Sequence, residues 1–313
     1  MKCLVTGGAG FIGSNLVHAL VGRGADVVVL DNFSTGVREN LDEVTGRIKL
    51  IEGDLRDRSA VTEAVDGVEV VYHLGAMPSV PRSVEQPLTS FEVNAMGTLH
   101  VLLAAKEASV RRVVFAASSS AYGDTPTLPK HEGMPQSPLS PYAADKVHGE
   151  NLCKVFTASM GLECVGLRYF NVFGPRQRPD SAYAAVIPRF MEAVVSGSQP
   201  VIYGDGLQSR DFTFVQNVIG ANLLAADAPD APGHIVNIGN GSRTTLIELL
   251  SKICEVCGKD TTPIHEAARL GDVRDSPAVI SLARRGLGFE PTVDLSAGLQ
   301  LTADWFRTAR QAT

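Results

Sequence analysis

The sequence has no long hydrophobic run and no excess of basic residues. No stretch approaches the roughly 20 apolar residues that a membrane-spanning helix requires. A net charge of −6 argues against nucleic acid or an anionic membrane as the main partner. The apolar start at Cys3-Leu4-Val5 breaks at Thr6-Gly7-Gly8, so we expect no signal peptide and a cytoplasmic location.

Cysteines and clustered metal ligands are also scarce. Five cysteines, an odd number, fit a reducing compartment. Cys254 and Cys257 form a CxxC pair inside a helical pattern, but no second CxxC or His pair stands nearby. A zinc site would therefore lack half its ligands, and we predict no metal site. His73, after an apolar segment, is interpreted as a packed residue and not a catalytic one.

The first half of the chain alternates short apolar segments with segments of helical spacing. Such alternation predicts a parallel sheet covered by helices on both faces, an α/β fold of the Rossmann-type doubly wound class. The predicted strands are residues 3–5, 26–30, 48–52, 68–74, 112–116, 163–167 and 234–238. The predicted helices are residues 11–21, 58–66, 89–108, 142–160, 186–197, 215–228 and 245–257.

The pattern becomes irregular after Asn171, where Pro, Gly and Arg are more frequent. We therefore expect two domains. Residues 1–170 form the sheet domain, to which a late strand near 234–238 returns. Residues 171–313 form mainly a smaller, interleaved C-terminal substrate-binding domain.

A glycine-rich segment, residues 6–13 (TGGAGFIG), lies between the first strand and the first helix. Glycines there permit a tight turn and let a pyrophosphate approach backbone N–H groups at the helix N-terminus. Asp31 ends the second strand, and a carboxylate there accepts hydrogen bonds from a ribose 2′-hydroxyl and repels a 2′-phosphate. The pattern therefore favours NAD over NADP.

Asp54 and Leu55 follow the third strand, where they are positioned for the adenine. The alternative for Asp54 is a cap of the next helix. The predicted cofactor-binding residues are Gly7, Gly10, Phe11, Ile12, Gly13, Asp31, Asn32, Ser34, Asp54, Leu55, Leu74, Ala76, Tyr142 and Lys146.

Tyr142 and Lys146 are four residues apart, so on a helix they share one face with about 5–6 Å between their Cβ atoms. An ammonium held there favours the ionised phenol and brings its pKa from about 10 toward neutrality. Tyr142 is thus a candidate general base. An isolated pair of this kind is more often an exposed helix start, so the rest of the chain decides its meaning.

With the glycine loop, Ser118, Tyr142 and Lys146 in register, the chain resembles the extended short-chain dehydrogenase/reductase superfamily nearly end to end. Within it, the chain is most similar to the nucleotide-sugar 4-epimerases. The segments that carry the resemblance are residues 31–36, 79–83, 118–124, 168–176, 182–188 and 204–212. The resemblance implies a homodimer formed through helices near 89–108 and 142–160, to which Leu99, Leu102, Leu103, Val155 and Phe156 could supply apolar faces.

The resemblance also implies an activity, the NAD-dependent 4-epimerisation of a UDP-sugar through a transient 4-keto sugar. Tyr142 would take the proton of the 4-hydroxyl, Lys146 would lower the pKa of Tyr142, and Ser118 would bond the sugar oxygen and relay its proton. The implied substrate-binding residues are Ser79, Arg82, Ser118, Ser119, Ser120, Asn171, Ala185, Val186, Tyr203, Arg210, Arg269, Asp272 and Ser276.

Two positions distinguish the related reactions. Ser119 and Ser120 stand where the related 4,6-dehydratases carry acids and the decarboxylases carry a Glu, which argues against dehydration and weakens decarboxylation. Both stay open, as do a UDP-glucuronate 4-epimerase and a non-enzymatic NAD-binding redox sensor. Ser276 is small enough to leave room for an N-acetyl group, whereas Met77-Pro78 replaces a small Gly of N-acetyl-sugar epimerases.

Overall fold

A computed structural model describes residues 1–179, 185–267 and 275–311. The strands are β1 (Lys2–Thr6), β2 (Asp26–Asp31), β3 (Ile48–Glu52), β4 (Val70–His73), β5 (Arg112–Ser118), β6 (Glu163–Tyr169), β7 (Val172–Phe173), β8 (Val201–Tyr203), β9 (Ser209–Arg210), β10 (Thr213–Phe214), β11 (Ile235–Ile238), β12 (Thr244–Thr245), β13 (Ile264–Glu266) and β14 (Asp275–Ser276). The α-helices are α1 (Phe11–Gly22), α2 (Arg58–Val65), α3 (Val80–Glu85), α4 (Pro87–Phe91), α5 (Gly97–Glu107), α6 (Pro141–Met160), α7 (Val186–Ser196), α8 (Val215–Asp227), α9 (Leu246–Cys257), α10 (Ser281–Leu287) and α11 (Leu295–Gln311).

Seven parallel strands form the central sheet in the order β11-β6-β5-β4-β1-β2-β3. The strand order reverses between β1 and β4, and ligands of open α/β sheets bind at such a switch point, beyond the carboxyl ends of the strands. The predicted doubly wound Rossmann-type sheet is confirmed. The late strand expected near 234–238 is β11, which pairs with β6.

Alternate residues of each strand enter separate cores. In β1, Cys3 and Val5 belong to the core that contains α1, whereas Leu4 belongs to the core of α2 and α5. Successive side chains of a strand point to opposite faces of the sheet. Because both faces are covered, the strands read as continuous apolar runs and not as alternating ones.

Local capping explains where α6 begins and ends. The Ser140 hydroxyl accepts a hydrogen bond from the Ala143 N–H, and Pro141 occupies the first turn. The helix ends at Gly161, whose φ of 73° is the left-handed conformation that glycine adopts readily. These boundaries agree with the predicted helix at 142–160 within a residue.

The helix predicted at 89–108 has a more complex form. It is continuous from α4 to α5, but the segment Glu92–Met96 between them is a π-helical turn. The short helix α3 and a 3₁₀ segment, Arg38–Arg47, are not in the prediction, because neither has a run long enough to show helical periodicity.

Residues after 171 build several small sheets beside the large one. The strands pair as β12-β9-β14, β13-β8 and β10-β7, and α7, α9 and α11 pack on one another. Helix α8 instead packs on β5 and β6, and β11 joins the main sheet. This part of the chain is thus interleaved with the first part, while the proposed boundary at 170 stays a prediction. No helix within the described ranges has the length and apolarity to cross a membrane.

A buried ion pair joins α6 to β6. Arg168 Nε and Nη2 donate to Glu150 Oε1 and Oε2, both at 2.7 Å, and Gln136 Nε2 donates to Oε2 at 2.6 Å. The Glu150 side chain is fully buried and that of Arg168 is 3% exposed. Separating such a pair would leave a charge in a low-dielectric interior, which is costly. The middle of α6 is therefore held at one position on the sheet.

Candidate functional site

The glycine loop and α1 approach each other too closely for any side chain. A Cβ on Gly13 would lie 2.0 Å from the carbonyl oxygen of Gly7, and Gly7 itself has a φ of +68°. The Gly10 N–H donates to the Gly7 carbonyl at 3.1 Å, which closes the turn. The result is a backbone cradle at the N-terminus of α1, the arrangement that binds a pyrophosphate.

A cavity of about 490 Å³ opens over this cradle at the carboxyl ends of the strands. All of the predicted cofactor-binding residues line it: Gly7, Gly10, Phe11, Ile12, Gly13, Asp31, Asn32, Ser34, Asp54, Leu55, Leu74, Ala76, Tyr142 and Lys146. Arg82 and Ala185, which were predicted to bind the substrate, line it as well.

Asp31 is held by two backbone groups. Its Oδ2 accepts from the Ala9 N–H at 2.9 Å and its Oδ1 accepts from the Phe33 N–H at 2.8 Å. Each carboxylate oxygen keeps further acceptor capacity for a ribose hydroxyl. Burial raises the pKa of Asp31, since its charge is already costly there. A 2′-phosphate beside this carboxylate would add a second negative charge, so the site fits NAD.

Asp54 is tied to neighbours on the cavity wall. Its carboxylate accepts from Arg56 Nε and Nη2 at 2.9 and 2.8 Å and from Asn32 Nδ2 at 2.7 Å. The hydrogen bonds from Arg56 hold the pKa of Asp54 far below its usual range. Helix α2 is capped by Asp57, whose side chain accepts from the Ser59 N–H. Asp54 is therefore not the helix cap that the alternative interpretation required.

Tyr142 and Lys146 lie on the first turns of α6 and face the cavity. Lys146 Nζ donates to the Ala116 carbonyl at 2.7 Å and lies 5.9 Å from the ring centroid of Tyr142. Burial lowers the pKa of Lys146 to about 8, while the charges of Asp145 and Glu150 act in the opposite direction. The buried ammonium is thus close to losing its proton.

The pKa of Tyr142 is raised, which differs from the lowering expected from its lysine neighbour. Burial is the main cause, and the hydrogen bond with the Ser118 hydroxyl acts against it. Sequence spacing shows that a lysine is near, but not how much water the fold removes from the phenol. Ser118 is the last residue of β5; it does not line the cavity itself and reaches it through Tyr142.

Three other serines of the predicted substrate site, Ser79, Ser119 and Ser120, lie at the start of short helical segments. Ser119 and Ser120 begin a 3₁₀ turn, Ser119–Tyr122, for which Ser118 is the N-cap. Ser79 caps α3, where its hydroxyl accepts from the N–H of Arg82 at 3.2 Å. Of these residues Arg82 lines the cavity, whereas Ser79, Ser119 and Ser120 are not among the residues that line it.

A second cavity of about 250 Å³ adjoins the first, since Ala185 lines both. It brings together several predicted substrate residues: Asn171, Ala185, Val186, Tyr203 and Arg210. Arg269 and Asp272 lie outside the described residues. For Ser276 the backbone pairs with Arg210 through β14 and β9, which puts this residue beside the cavity wall.

Sequence analysis missed several polar residues of both cavities. Arg176, Gln177 and Arg178 line the larger one, and Arg176 Nη1 donates to Asn15 Oδ1 on α1 at 3.2 Å. Arg176 is the last residue of the resemblance segment 168–176, and Gln177 and Arg178 directly follow it, so that segment was the available signal. Arg189 and Gln208 line the smaller cavity, where the Arg189 guanidinium lies 5.8 Å from the ring centroid of Tyr203.

His73 is packed between two hydroxyls. Thr98 Oγ1 donates to the Asn94 carbonyl, so it accepts from His73 Nε2–H, and Nδ1 of the ring faces Thr6 Oγ1 at 2.7 Å. Burial lowers the pKa of His73 to about 3, so the ring is neutral. Among the described residues no group of three or more His, Cys, Asp or Glu could hold a metal ion.

Comparison with known proteins relates the whole chain to one family. The model of the NAD dependent epimerase/dehydratase family matches residues 3–239. The UDP-glucose 4-epimerase of Mycolicibacterium smegmatis is 39% identical over 315 residues, covering 99% of this chain and 100% of that protein.

Solved structures of similar proteins are those of epimerases as well. The UDP-N-acetylglucosamine 4-epimerase from Methanobrevibacter ruminantium, in complex with UDP-N-acetylmuramic acid, is 39% identical and superposes with a TM-score of 0.94 over 98% of both chains. The Thermus thermophilus UDP-glucose 4-epimerase, in complex with NAD, is 38% identical, with a TM-score of 0.89 over 99% of this chain and 100% of that one.

The glycine contact in the loop predicts a large effect of one methyl group. Gly13→Ala places a Cβ against the Gly7 carbonyl, so the loop has to shift, and overpacking of this kind costs about 1–3 kcal/mol. We expect NAD affinity to fall about 10- to 100-fold in equilibrium titration. Gly22→Ala, at the other end of α1 with nothing within 4 Å, is the matched control and should bind NAD normally. Equal affinity of the two variants would contradict the cradle.

The buried Lys146 predicts a rise of stability with pH. Its pKa is about 8 in the folded protein, below the 10.5 of an exposed lysine, so the unfolded chain binds more protons between those values. Stability should therefore increase from about pH 8 to about pH 10.5. Urea unfolding of the wild type and Lys146→Met across this range isolates the effect: their difference in unfolding free energy should change by about 3 kcal/mol in favour of the wild type. A constant difference would contradict the prediction.

Proposed function

Because the chain belongs to the NAD-dependent epimerase/dehydratase family, as a nucleotide-sugar epimerase of the extended short-chain dehydrogenase/reductase type, we propose that it interconverts the 4-epimers of a UDP-sugar. One observation carries the proposal. Tyr142 and Lys146 face a cavity that fits NAD, with Ser118 bonded to Tyr142 from behind, and this cavity adjoins a second one lined by Arg210 and Tyr203.

NAD fits the residues of the larger cavity. Gly7, Gly10 and Gly13 have no side chains, and the positions of Gly7 and Gly13 are too crowded to accept one. The backbone of the cradle is therefore open to a pyrophosphate. Asp31 would hold a ribose hydroxyl, and Lys146 would hold the nicotinamide ribose. Held by these residues, NAD would supply the hydride acceptor and donor for C4 of the sugar.

The chain's own residues move the proton. Tyr142 acts as phenolate and takes the proton of the sugar 4-hydroxyl while C4 is oxidised, then gives it back after the 4-keto sugar has turned over. The Ser118 hydroxyl stabilises the phenolate, as its effect on the pKa of Tyr142 indicates. The ammonium of Lys146 adds positive charge 5.9 Å from the ring centroid of Tyr142.

The smaller cavity receives the nucleotide. Arg210 supplies a guanidinium suited to diphosphate oxygens, and Tyr203 presents a ring beside Arg189 on which a base can stack. Asn171 on the same wall would hold a hydroxyl or a phosphate oxygen. For Arg269 we propose binding of the diphosphate and for Asp272 a contact with the nucleotide ribose, as the resemblance implies. We also propose the division into residues 1–170 for NAD and 171–313 mainly for the substrate.

For the sugar we propose glucose and its N-acetylamino derivative over glucuronate. The small Ser276, beside Arg210, leaves space for an N-acetyl group, and relatives of either substrate name are 39% identical to this chain. Ser119 and Ser120 supply no acid for elimination of water, which disfavours the dehydratase that the family name also covers. The intact trio of Ser118, Tyr142 and Lys146 disfavours a redox sensor.

An NMR assay tests the reaction. The purified protein with one equivalent of NAD is given UDP-glucose, UDP-galactose, UDP-N-acetylglucosamine or UDP-glucuronate, each in large excess. With UDP-glucose, UDP-galactose and UDP-N-acetylglucosamine we expect conversion to an equilibrium mixture of the two 4-epimers, because each turnover regenerates NAD. Tyr142→Phe should lower the rate about 10²–10⁴-fold. Tyr72→Phe removes a buried phenol without a hydrogen-bond partner in the described chain, and should stay active.

Other products would overturn parts of the proposal. A 4-keto-6-deoxy sugar or a pentose would refute epimerisation. Conversion of UDP-glucose without that of UDP-N-acetylglucosamine would refute only the pocket-size inference from Ser276. Conversion of UDP-glucuronate alone would move the enzyme to the uronic-acid epimerases.

We further propose a homodimer, in the cytoplasm that the sequence predicts. Helices α3, α4 and α6 expose apolar side chains: Val84 is 62% exposed, Leu88 70%, Phe91 45% and Val155 51%. Phe91 and His148 contact across α4 and α6, with ring centroids 6.4 Å apart, and α3 packs on α6 as well, so we propose that these side chains share one face. Of the residues first considered, Leu102 and Phe156 are buried in the protomer's own core and cannot contribute.

Light scattering after size exclusion tests the dimer. Leu88→Glu adds a charge at the centre of the apolar face and should shift the protein to monomer at micromolar concentration. Leu301→Glu makes the same change at a 44% exposed leucine on α11 and should leave the mass of the wild type. A monomeric wild type, or a dimeric Leu88→Glu protein, would refute this interface.

A further inference from the structure

The hydroxyl of Ser118 has both of its acceptor positions filled. Its Oγ accepts from the Ser120 N–H at 3.2 Å and from the Ser120 hydroxyl at 2.8 Å. A serine oxygen has two lone pairs and one proton. The only capacity that Ser118 retains is to donate its own proton, and the other partner of this hydroxyl is the phenol of Tyr142.

We propose that Ser120 is a positioning residue that fixes Ser118 as a hydrogen-bond donor to Tyr142. The proposal rests on the epimerase function above and refines its proton path. Because Ser118 cannot also accept, the proton of the sugar 4-hydroxyl passes directly to Tyr142. The sugar O–H bond breaks, the Tyr142 O–H bond forms, and Ser118 keeps its proton throughout. The return step reverses these changes, so no proton is gained or lost in a cycle.

The turn that carries Ser120 is rigid at both ends. Ser118 caps it at the start, and Gly123 closes it with a φ of +60°, where a Cβ would lie 2.0 Å from the Ser137 carbonyl oxygen. Tyr122, one residue earlier, donates its phenol proton to Asn237 Oδ1 at 2.6 Å. The backbone of Ser120 is thus held beside Ser118, at a position from which its hydroxyl donates to Ser118 Oγ at 2.8 Å.

The neighbouring Ser119 provides a contrast. Within the described part of the chain no hydrogen bond joins the Ser119 hydroxyl to Ser118 or Tyr142. Sequence resemblance assigned both serines to sugar binding, whereas the hydrogen bonds give them different roles. Contact with the sugar by Ser120 would raise KM when its hydroxyl is removed, while positioning through Ser118 would lower kcat and leave KM alone.

The first test reads Tyr142 without turnover. The chain has six tyrosines, and ¹³Cζ-labelled tyrosine NMR, with Tyr142→Phe to assign the signal, reports the pKa of Tyr142. Ser120→Ala should raise that pKa, since Ser118 becomes free to rotate away, and Ser119→Ala should leave it unchanged. Lys146, Asp145 and His73, the titratable groups around the site, are the same in all of these proteins. An equal pKa in the wild type and Ser120→Ala would overturn the proposal.

The second test separates kcat from KM. Ser120→Ala should lower kcat about three- to tenfold with KM unchanged, and its kcat should require a higher pH. Ser120→Thr keeps the hydroxyl and should restore the wild-type profile. Ser196→Ala, at an exposed serine ending α7, controls for the substitution itself. A raised KM with normal kcat would assign Ser120 to the sugar and refute positioning.

Different results would refute the epimerase function and the role of Ser120. If the wild type produces no 4-epimer, the proposed function is wrong, but the pKa comparison still tests the hydrogen-bond arrangement. If the wild type is active and Ser120→Ala matches Ser196→Ala in kcat and in pH profile, the proposed function stands and the role of Ser120 is refuted.

Discussion

The site depends on a buried lysine held by a backbone carbonyl. Lys146 Nζ donates to the Ala116 carbonyl of β5 and is 4% exposed. Helix α6 lies so close to this strand that a Cβ on Gly149 would be 2.4 Å from Phe115 Cζ. The Glu150–Arg168 pair ties the same helix to β6. Any shift of α6 would separate one of these contacts, so the position of Tyr142 relative to the cavity is fixed.

Burial and polar contacts oppose each other at three titratable groups of this site. Burial favours the neutral forms of Lys146, Tyr142 and Asp31, whereas the proposed chemistry uses all three charged. Each has partners that work against burial: carboxylates near Lys146, the Ser118 hydroxyl for Tyr142 and two backbone N–H groups for Asp31. The two causes resolved for the pKa of Tyr142 are thus burial and the Ser118 hydroxyl, which act in opposite directions.

Local signals predicted the parts of the site that one segment builds. The glycine loop, Asp31 and the pair Tyr142 and Lys146 each lie within a single turn or strand end, so local spacing makes them candidates, and their occurrence together in one chain gives the pair its meaning. Arg189 and Gln208 lie in segments without such spacing, and only the folded chain shows that they share a wall with Arg210. The same limit applies to Leu102, which has a pattern suited to an interface yet packs inward.

The direction of a hydrogen bond and the sign of a pKa shift are harder to predict from the sequence than the identity of a site residue. The family resemblance identifies Ser118, which lies four residues before Tyr122. Its role as a donor follows only from the two hydrogen bonds that its oxygen already accepts. The raised pKa of Tyr142 likewise follows from the exclusion of water by the folded chain. Composition contains no measure of that exclusion, so the sequence indicated the direction given by Lys146 alone.

The cavity wall that carries Arg210 is anchored to the main sheet through a buried carboxylate. Asp211, next to Arg210, is fully buried and accepts from the N–H groups of Asn240 and Gly241 at 2.8 and 2.9 Å. These two residues follow β11, so the strand that returns to the main sheet fixes the position of β9 and Arg210. The proposed epimerisation requires a diphosphate that stays bound while the sugar ring turns between two hydride transfers. Interleaving of the two parts of the chain supports that proposal, since β11 belongs to the main sheet and holds the wall that carries Arg210.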